Sequence, residues 1–365
     1  RPASRRQLVA KQELSVVWGH TYGSDPAPSF PPRRLMGWRQ RPGIRGRPPH
    51  RRPPSTGDEP RIAEAVPLSS WAPTCAFAHG SAGDTDGGLP IPSVVHQVWL
   101  GGAALRWVQL LSLMSVHYVW SPRRHLLHFA PEPRDASALE WRCACAFATC
   151  VAASPRERIF GQPLLERAHV ADLLRLDLLE NEGGAYADLD AYAMRPLAPW
   201  RRCAASVVVG YSSSARKLNN GVLLATRGSR FLRAWREGYR DYRPQLWDYN
   251  SCNVSTALAQ RAAAGSAGGL GSTLIHLAPE LAPLPRYRAA ADYRRHLSGE
   301  APVVHLTGFA KKWRFQPVMG HRLLSLIAQP TLRAAAARAN ASTPLQRICV
   351  AKLAAACWAR GARCG

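Results

Sequence analysis

"ADLLRLDLLENEGGAYADLD", residues 171 to 190, decides the fold of this chain. Leucines at 173, 174, 176, 178 and 179, with no internal glycine or proline, predict a helix that the pair Gly183-Gly184 stops. Beyond the glycines, "AYADLDAYAM" reads as a strand or a strand end. Alternate side chains of an extended segment share a face, so Asp188 and Asp190 are expected to project together while Leu189 enters the core. Two carboxylates held that close repel one another unless a cation or donors lie between them. Carboxylate oxygens suit hard octahedral ions such as Mg²⁺ or Mn²⁺, and those ions commonly bring a diphosphate with them. One helical turn apart, Asp172 and Arg175 can face the same side. Taken singly, an Asp-x-Asp is also what a solvated turn looks like, and Asp172 with Arg175 is also a surface ion pair.

The flanking sequence supplies an α/β frame for this segment. "IPSVVHQVWLGG", from Ile91, reads as a first buried strand running into a loop, and "RWVQLLSLMSVHYVW" follows with helical spacing. "RRHLLHFAPEP" is a second strand ended by prolines. Further on, "CAASVVVGY" and "NNGVLLAT" are short strands and "SRFLRAWREGYRDY" is a helix. Strands alternating with helices predict a sheet whose ligands sit at the strand carboxyl ends. The fold class expected is α/β, a Rossmann-like mixed sheet flanked by helices. Residues 1–90 form a Pro-, Arg- and Gly-rich lead-in that reads as disordered, residues 91–320 the folded domain, and residues 321–365 an Ala- and Arg-rich helical tail. No internal repeat of about 20 to 50 residues is visible.

The 365 residues carry 48 Lys plus Arg against 24 Asp plus Glu, a formal net charge of +24. Such a surplus suggests a nucleic-acid or anionic partner, but its densest block lies outside the α/β region. Between Pro28 and Thr56 there are eight arginines and no acid, interleaved with prolines and glycines. No nucleic-acid recognition module accompanies them, so nucleic-acid binding stands as the alternative to an enzyme. No apolar run of about 18 residues spans a membrane and no signal peptide opens the chain, so membrane association would need a segment not in this sequence. The nine cysteines lack the paired C-x-x-C spacing of a zinc site; disulfides, and glycans at Asn253 and Asn340, are open to it in an oxidising compartment.

The Ala171–Asp190 stretch resembles the signature of the DxD-type sugar transferases of glycosyltransferase family 32 and of the related large glucosylating cytotoxins. "IPSVVHQVWLGG", "NNGVLLATRGSRFLRAW" and "WDYNS" are similar to other blocks of that family, so the resemblance covers roughly residues 91–255. It implies a GT-A fold, a nucleotide-sugar donor (UDP- or GDP-sugar), Mn²⁺ or Mg²⁺, a glycan, glycolipid or protein acceptor, and retention of anomeric configuration. It suggests the Golgi or a secretory lumen. Carried over by position, Asp172 and Arg175 would contact the donor sugar, Asp188 the ribose and metal region, and Asp190 the metal directly. Trp99 matches a tryptophan that stacks on the donor base, and its other reading is a core residue; His96 is expected to be structural.

A second resemblance lies in "HLTGFAKKW", residues 305 to 313, whose H-x-x-G-x-x-K-x-W pattern is similar to the closing motif of glycogenin-like transferases. It implies His305 as a further metal ligand, with Gly308, Lys311 and Trp313 on the donor side. Residue chemistry agrees: imidazole ligates Mn²⁺, glycine lets backbone approach phosphate, and lysine opposes a leaving diphosphate. Lys312 stands where that family often has proline, which divides the lysine role between Lys311 and Lys312. Asn219, Asn220, Asp248 and Asn250 are candidates for the sugar or acceptor side, or equally for turn capping. Two further alternatives are a phosphatase built on Asp-x-Asp, which Ala191 and Tyr192 do not suit, and a non-catalytic relative, against which the full motif set speaks.

Overall fold

The computed structural model describes residues 89–130, 133, 135–203, 205–212, 217–264, 275–278, 281, 301–306 and 317–358. The basic lead-in and the Gly308, Lys311, Lys312 and Trp313 assignments lie outside the described residues. A seven-stranded sheet forms the centre, in the order β10-β8-β9-β6-β1-β2-β3. Its strands are β1 (Val94–Leu100), β2 (Arg124–Ala130), β3 (Thr149–Ala152), β6 (Gly184–Ala187), β8 (Val207–Ser212), β9 (Lys217–Ala225) and β10 (Ile275–Ala278). β1, β2, β3 and β6 run parallel, β10 runs parallel to β8, and β9 runs antiparallel to both β6 and β8. The sheet is therefore mixed, as the sequence predicts. Two short pairs lie outside it: β4 (Arg158–Ile159) with β5 (Gln162–Pro163), and β7 (Ala191–Ala193) with β11 (Val303–His305).

Helix α1 (Trp107–Ser115) continues into a π-turn at Val116–Trp120, and α2 (Leu139–Phe147) follows β2. Helix α3 (Arg167–Glu182) is the leucine-rich segment; it buries Val170, Leu173, Leu176 and Leu179 against the sheet. Each fully buried leucine contributes about 1.5–3 kcal/mol. The helix ends where Gly183 and Gly184 both take positive φ, at 70° and 98°. A side chain on Gly183 would approach the Arg227 amide nitrogen to 2.8 Å, so the turn that feeds β6 needs glycine for both conformation and space.

Helix α4 (Ala198–Arg201), α5 (Arg230–Glu237) and α6 (Val254–Ala263) follow, and α7 (Pro317–Ala337) and α8 (Pro344–Trp358) close the chain. Leu324, Ile327 and Ala328 of α7 and Cys349 and Leu353 of α8 share one core with Leu111, Met114 and Phe147. The last two helices are thus packed on the α1–α2 side of the sheet. A disulfide joins Cys143 of α2 to Cys349 of α8, a second joins Cys145 to Cys150, and Cys203 is also disulfide-bonded. Among the described residues no helix is long and apolar enough to cross a membrane.

Candidate active site

The extended reading of "AYADLDAYAM" needs one correction. β6 stops at Ala187, residues 188–190 form a turn closed by the Ala191 amide donating to the Asp188 carbonyl at 2.9 Å, and β7 begins only at Ala191. The break has a topological cause, because the chain leaves the seven-stranded sheet here and enters the β7–β11 ribbon. Leu189 still enters the core, and both carboxylates still converge.

Asp188 sits at the carboxyl end of β6, where the β6–β9 register pairs Ala187 with Val222. The Asp188 amide donates to the Gly221 carbonyl at 2.8 Å, which fixes that carboxylate against β9. Asp190 is held from the other side, its carbonyl accepting the Leu306 amide at 3.0 Å. In that ribbon His305 pairs with Ala191, so a residue 115 positions beyond Asp190 arrives beside it. His305 Nε2 lies 3.1 Å from Asp190 Oδ1 and 3.6 Å from Asp188 Oδ2. Ligand atoms of Asp188, Asp190 and His305 all fall within 4.8 Å of one another.

The donor set fits a divalent cation. His305 is 1% exposed, yet neither ring nitrogen makes a well-directed hydrogen bond despite the short distance to Asp190. A buried imidazole with unused nitrogens beside two carboxylates is what a cation shared by the three would satisfy. Burial opposes a charged imidazole, but Asp190 and Asp188 outweigh it and raise the His305 pKa above its ordinary value. For Asp190, burial likewise opposes the carboxylate, and His305 prevails to lower its pKa.

A second cluster abuts the first. Arg175 is 5% exposed and lies between carboxylates, with Nη2 at 3.0 Å from Asp172 Oδ1 and 3.4 Å from Asp188 Oδ1. Its Nη1 donates to the Asn220 carbonyl at 2.5 Å, and its guanidinium stacks 4.4 Å over the Tyr186 ring. The Tyr186 hydroxyl donates to Asp188 Oδ1 at 2.8 Å. Asn220 Nδ2 donates to Asp172 Oδ1 at 2.7 Å. Burial raises the Asp172 pKa against the pull of Arg175. Burial also disfavours charge on Arg175, and Asp188, Tyr186 and Asp172 more than restore it. The pair foreseen between Asp172 and Arg175 is therefore a buried one, where loss of one partner costs about 3–5 kcal/mol.

The other candidates divide. Asn219 accepts the Gly221 amide at 3.0 Å, and Asp248, half exposed, pairs with Lys217 Nζ at 3.0 Å. Asn250 is buried, accepts the Arg243 amide at 3.0 Å and donates to the Asp241 carbonyl at 2.9 Å, which is a loop-shaping role. Trp99, next to last in β1, is half-buried against the α1–α2 core, with its indole donating to the Ala103 carbonyl at 2.8 Å. His96, fully buried, bonds His128 at 3.0 Å and the Gly183 carbonyl at 3.1 Å, so it supports the turn before β6.

Two supports carry no motif of their own. A Cβ on Gly221 would stand 2.7 Å from Asp188 Oδ2 and 2.8 Å from His305 Nδ1, so the site needs glycine there for space. Beneath the turn, His125 shares a hydrogen bond with Gln97 at 2.9 Å, Gln97 donates to Ser112 at 2.9 Å, and Ser112 donates to the Ala191 carbonyl at 2.6 Å. This buried relay anchors β7, and only proximity in the fold reveals it.

Fold and site together define a class: an α/β domain with a mixed central sheet whose Asp-x-Asp turn stands beside a buried histidine and a buried arginine. Residues 155–206 match the family model described as the glycosyltransferase sugar-binding region containing DXD motif. The chain is similar to Glucan organizing enzyme 1 of Cryptococcus neoformans var. grubii serotype A, with 24% identity over 179 residues, 45% of this chain and 48% of that protein. It spans about half the length of the curated relative it matches. Among solved structures it is similar to the galactosyltransferase LgtC in complex with donor and acceptor sugar analogs, at 16% identity and TM-score 0.43, covering 64% of this chain and 95% of that one. PaToxG glycosyltransferase is 16% identical at TM-score 0.36, covering 66% and 87%. The mannosyltransferase PcManGT from Pyrobaculum calidifontis, solved with GDP-Man and Mn²⁺, is 15% identical at TM-score 0.29, covering 73% and 80%.

Proposed function

We propose that this protein is a metal-dependent glycosyltransferase that moves a hexose from a nucleoside-diphosphate sugar to a glycan, lipid or protein acceptor, with retention of configuration. The observation that carries the reading is one turn, residues 188–190, that serves both clusters: Asp188 and Asp190 join His305, and Asp188 also meets the buried Arg175. The match of residues 155–206 to a DXD sugar-binding region supports it. Asp188, Asp190 and His305 would hold Mn²⁺ or Mg²⁺, which when bound supplies positive charge against a leaving diphosphate.

Asp172 and Arg175 orient the donor sugar, and Arg175 arrives pre-set because Asp172, Asp188 and the Asn220 carbonyl already fix its plane. Asp172 is buried and engaged by Arg175 and Asn220, which suits it to hold a hydroxyl rather than to attack an anomeric carbon. That engagement supports same-face attack without a protein nucleophile. Trp99 stacks on the nucleotide base in this reading, Gly308 with Lys311 or Lys312 receives the diphosphate, and Trp313 lies on the donor side. The disulfides support an oxidising compartment such as the Golgi or secretory lumen.

The test is the full chain, disulfides intact, with Mn²⁺ and a panel of UDP- and GDP-hexoses, assayed for released nucleotide beside Asp190→Ala. Hydrolysis or transfer from one donor, reduced about a hundredfold or more in the variant, is expected. No donor turned over, or a variant as active as wild type, refutes the proposal.

A further inference from the structure

We infer that Asn340, and not Asn253, is the attachment site of an asparagine-linked glycan. This rests on the oxidising, secretory compartment proposed above and adds a covalent modification at one residue. Two stretches carry the Asn-x-Ser acceptor pattern without a central proline, Asn253-Val254-Ser255 and Asn340-Ala341-Ser342. The fold treats them oppositely. Asn340 is the middle residue of a 3₁₀ turn, Ala339–Ala341, between α7 and α8, and residues 336–341 are exposed throughout. Asn253 instead ends the π-turn Tyr249–Asn253 that opens α6. It is half-buried, its Oδ1 is shut off from solvent, and its backbone amide donates to the Asp248 carbonyl at 3.1 Å. Ser255 is 0% exposed, with its hydroxyl committed to the Ser251 and Cys252 carbonyls at 3.1 Å and 3.0 Å. A glycan is bulky and needs solvent around it. A chain modified at Asn253 as it emerges cannot close this turn, so the folded protein carries none there.

The Asn340 turn also stands clear of the candidate site. Because β1 and β2 are parallel, α1 must carry the chain from the carboxyl end of β1 back to the amino end of β2. Tyr118 and Ser121 lie at the far end of that crossover. The Ser342 hydroxyl meets the Tyr118 hydroxyl at 3.3 Å, and Arg338 Nη1 donates to Ser121 Oγ at 3.0 Å. These contacts hold the α7–α8 turn at the amino edge of the sheet, whereas Asp188 follows β6 at the opposite, carboxyl edge. A glycan on Asn340 therefore extends into solvent without covering the two acids. In the coupling, Asn340 Nδ2 bonds the anomeric carbon of an N-acetylglucosamine-ended oligosaccharide. The bond from that carbon to a lipid-linked diphosphate breaks, the diphosphate leaves with the electron pair, and the amide proton passes to a base of the compartment's oligosaccharyltransferase.

The experiment expresses the full chain in cultured animal cells behind a cleavable secretion signal and digests it with peptide N-glycosidase in heavy-oxygen water. Peptide mass spectrometry then locates each released glycan and each disulfide. One glycan at Asn340 is expected, seen as a single mobility step that the digestion removes. Asn340→Gln and Ser342→Ala should each abolish that step, the second without touching the acceptor asparagine, while Asn253→Gln keeps it. Disulfide-bonded protein with Asn340 bare, or with Asn253 occupied, overturns the assignment. Luminal protein in which Cys143 and Cys349 stay reduced overturns the compartment reading on which it rests, so the two failures are separable.

Discussion

Replacing Gly221 with alanine is expected to weaken divalent-cation binding while leaving the domain folded. The new Cβ would stand 2.1 Å from His305 Cε1 and 2.7 Å from Asp188 Oδ2, against 3.4 Å at the near edge of ordinary contact. Asp188 must therefore retreat by about 0.7 Å and the His305 ring by about 1.3 Å, several times the roughly 0.2 Å that metal–ligand distances tolerate. His305 cannot swing aside cheaply, because it is 1% exposed and paired in the β7–β11 ribbon. Gly221 does not occupy the left-handed region, so alanine adds no backbone strain and the effect is steric. Overpacking of this kind costs about 1–3 kcal/mol of stability. The cation Kd should rise about a hundredfold, at the upper end of what disturbing a metal-ligand support costs. Mn²⁺ titration by calorimetry or by loss of the free-ion spin-resonance signal measures this, with thermal melts to show folding and Asp190→Asn as a reference. A folded Gly221→Ala protein whose Kd stays within threefold of wild type refutes the proposed ligand set.

Ser112→Ala strands the Ala191 carbonyl and the Gln97 amide; a loss of about 1–3 kcal/mol in denaturant melts is expected, with weaker Mn²⁺ binding because β7 loosens, and an unchanged Kd refutes the anchoring role. Acid should destabilise the protein early. Burial lowers the pKa of His125 to about 3 and of His128 to about 4, from 6.5, so as pH falls below 6.5 the unfolded chain takes protons that the native state refuses. Each histidine then removes about 1.4 kcal/mol per pH unit, and His125→Gln should shallow the slope between pH 6.5 and 5; equal slopes would refute it. Removing the Cys143–Cys349 cross-link, which spans 206 residues, by a double serine substitution should cost about 2–5 kcal/mol, and an unaltered melting temperature would show that α8 holds by packing alone.

Helix α3, its glycine stop and the pair of aspartates were legible because each depends on neighbours in sequence: leucine spacing, a left-handed turn, two acids one residue apart. His305 was legible only through a motif, since nothing local links it to Asp190 before the β7–β11 ribbon forms. The sequence reading erred in the extended character of residues 188–190, because a strand and a turn that changes sheets share the same alternating apolar pattern. Gly221 escaped notice because its demand comes from His305, 84 residues away in sequence, and a glycine in a strand reads only as a weak position. The relay of His125, Gln97 and Ser112 escaped for a related reason. Its members lie on β2, β1 and α1 in apolar runs where one polar residue looks like noise until a partner faces it.

The ribbon that delivers His305 also sets an order of events during synthesis. A chain emerging amino-terminal end first can pair β1, β2, β3, β6, β8 and β9 and present Asp188 and Asp190 while more than a hundred residues are still to come. Throughout that interval Asp190 stands without the His305 imidazole that later lies 3.1 Å from it. In the proposed ligand set cation capture would await residue 305, whereas most of the sheet can form before it.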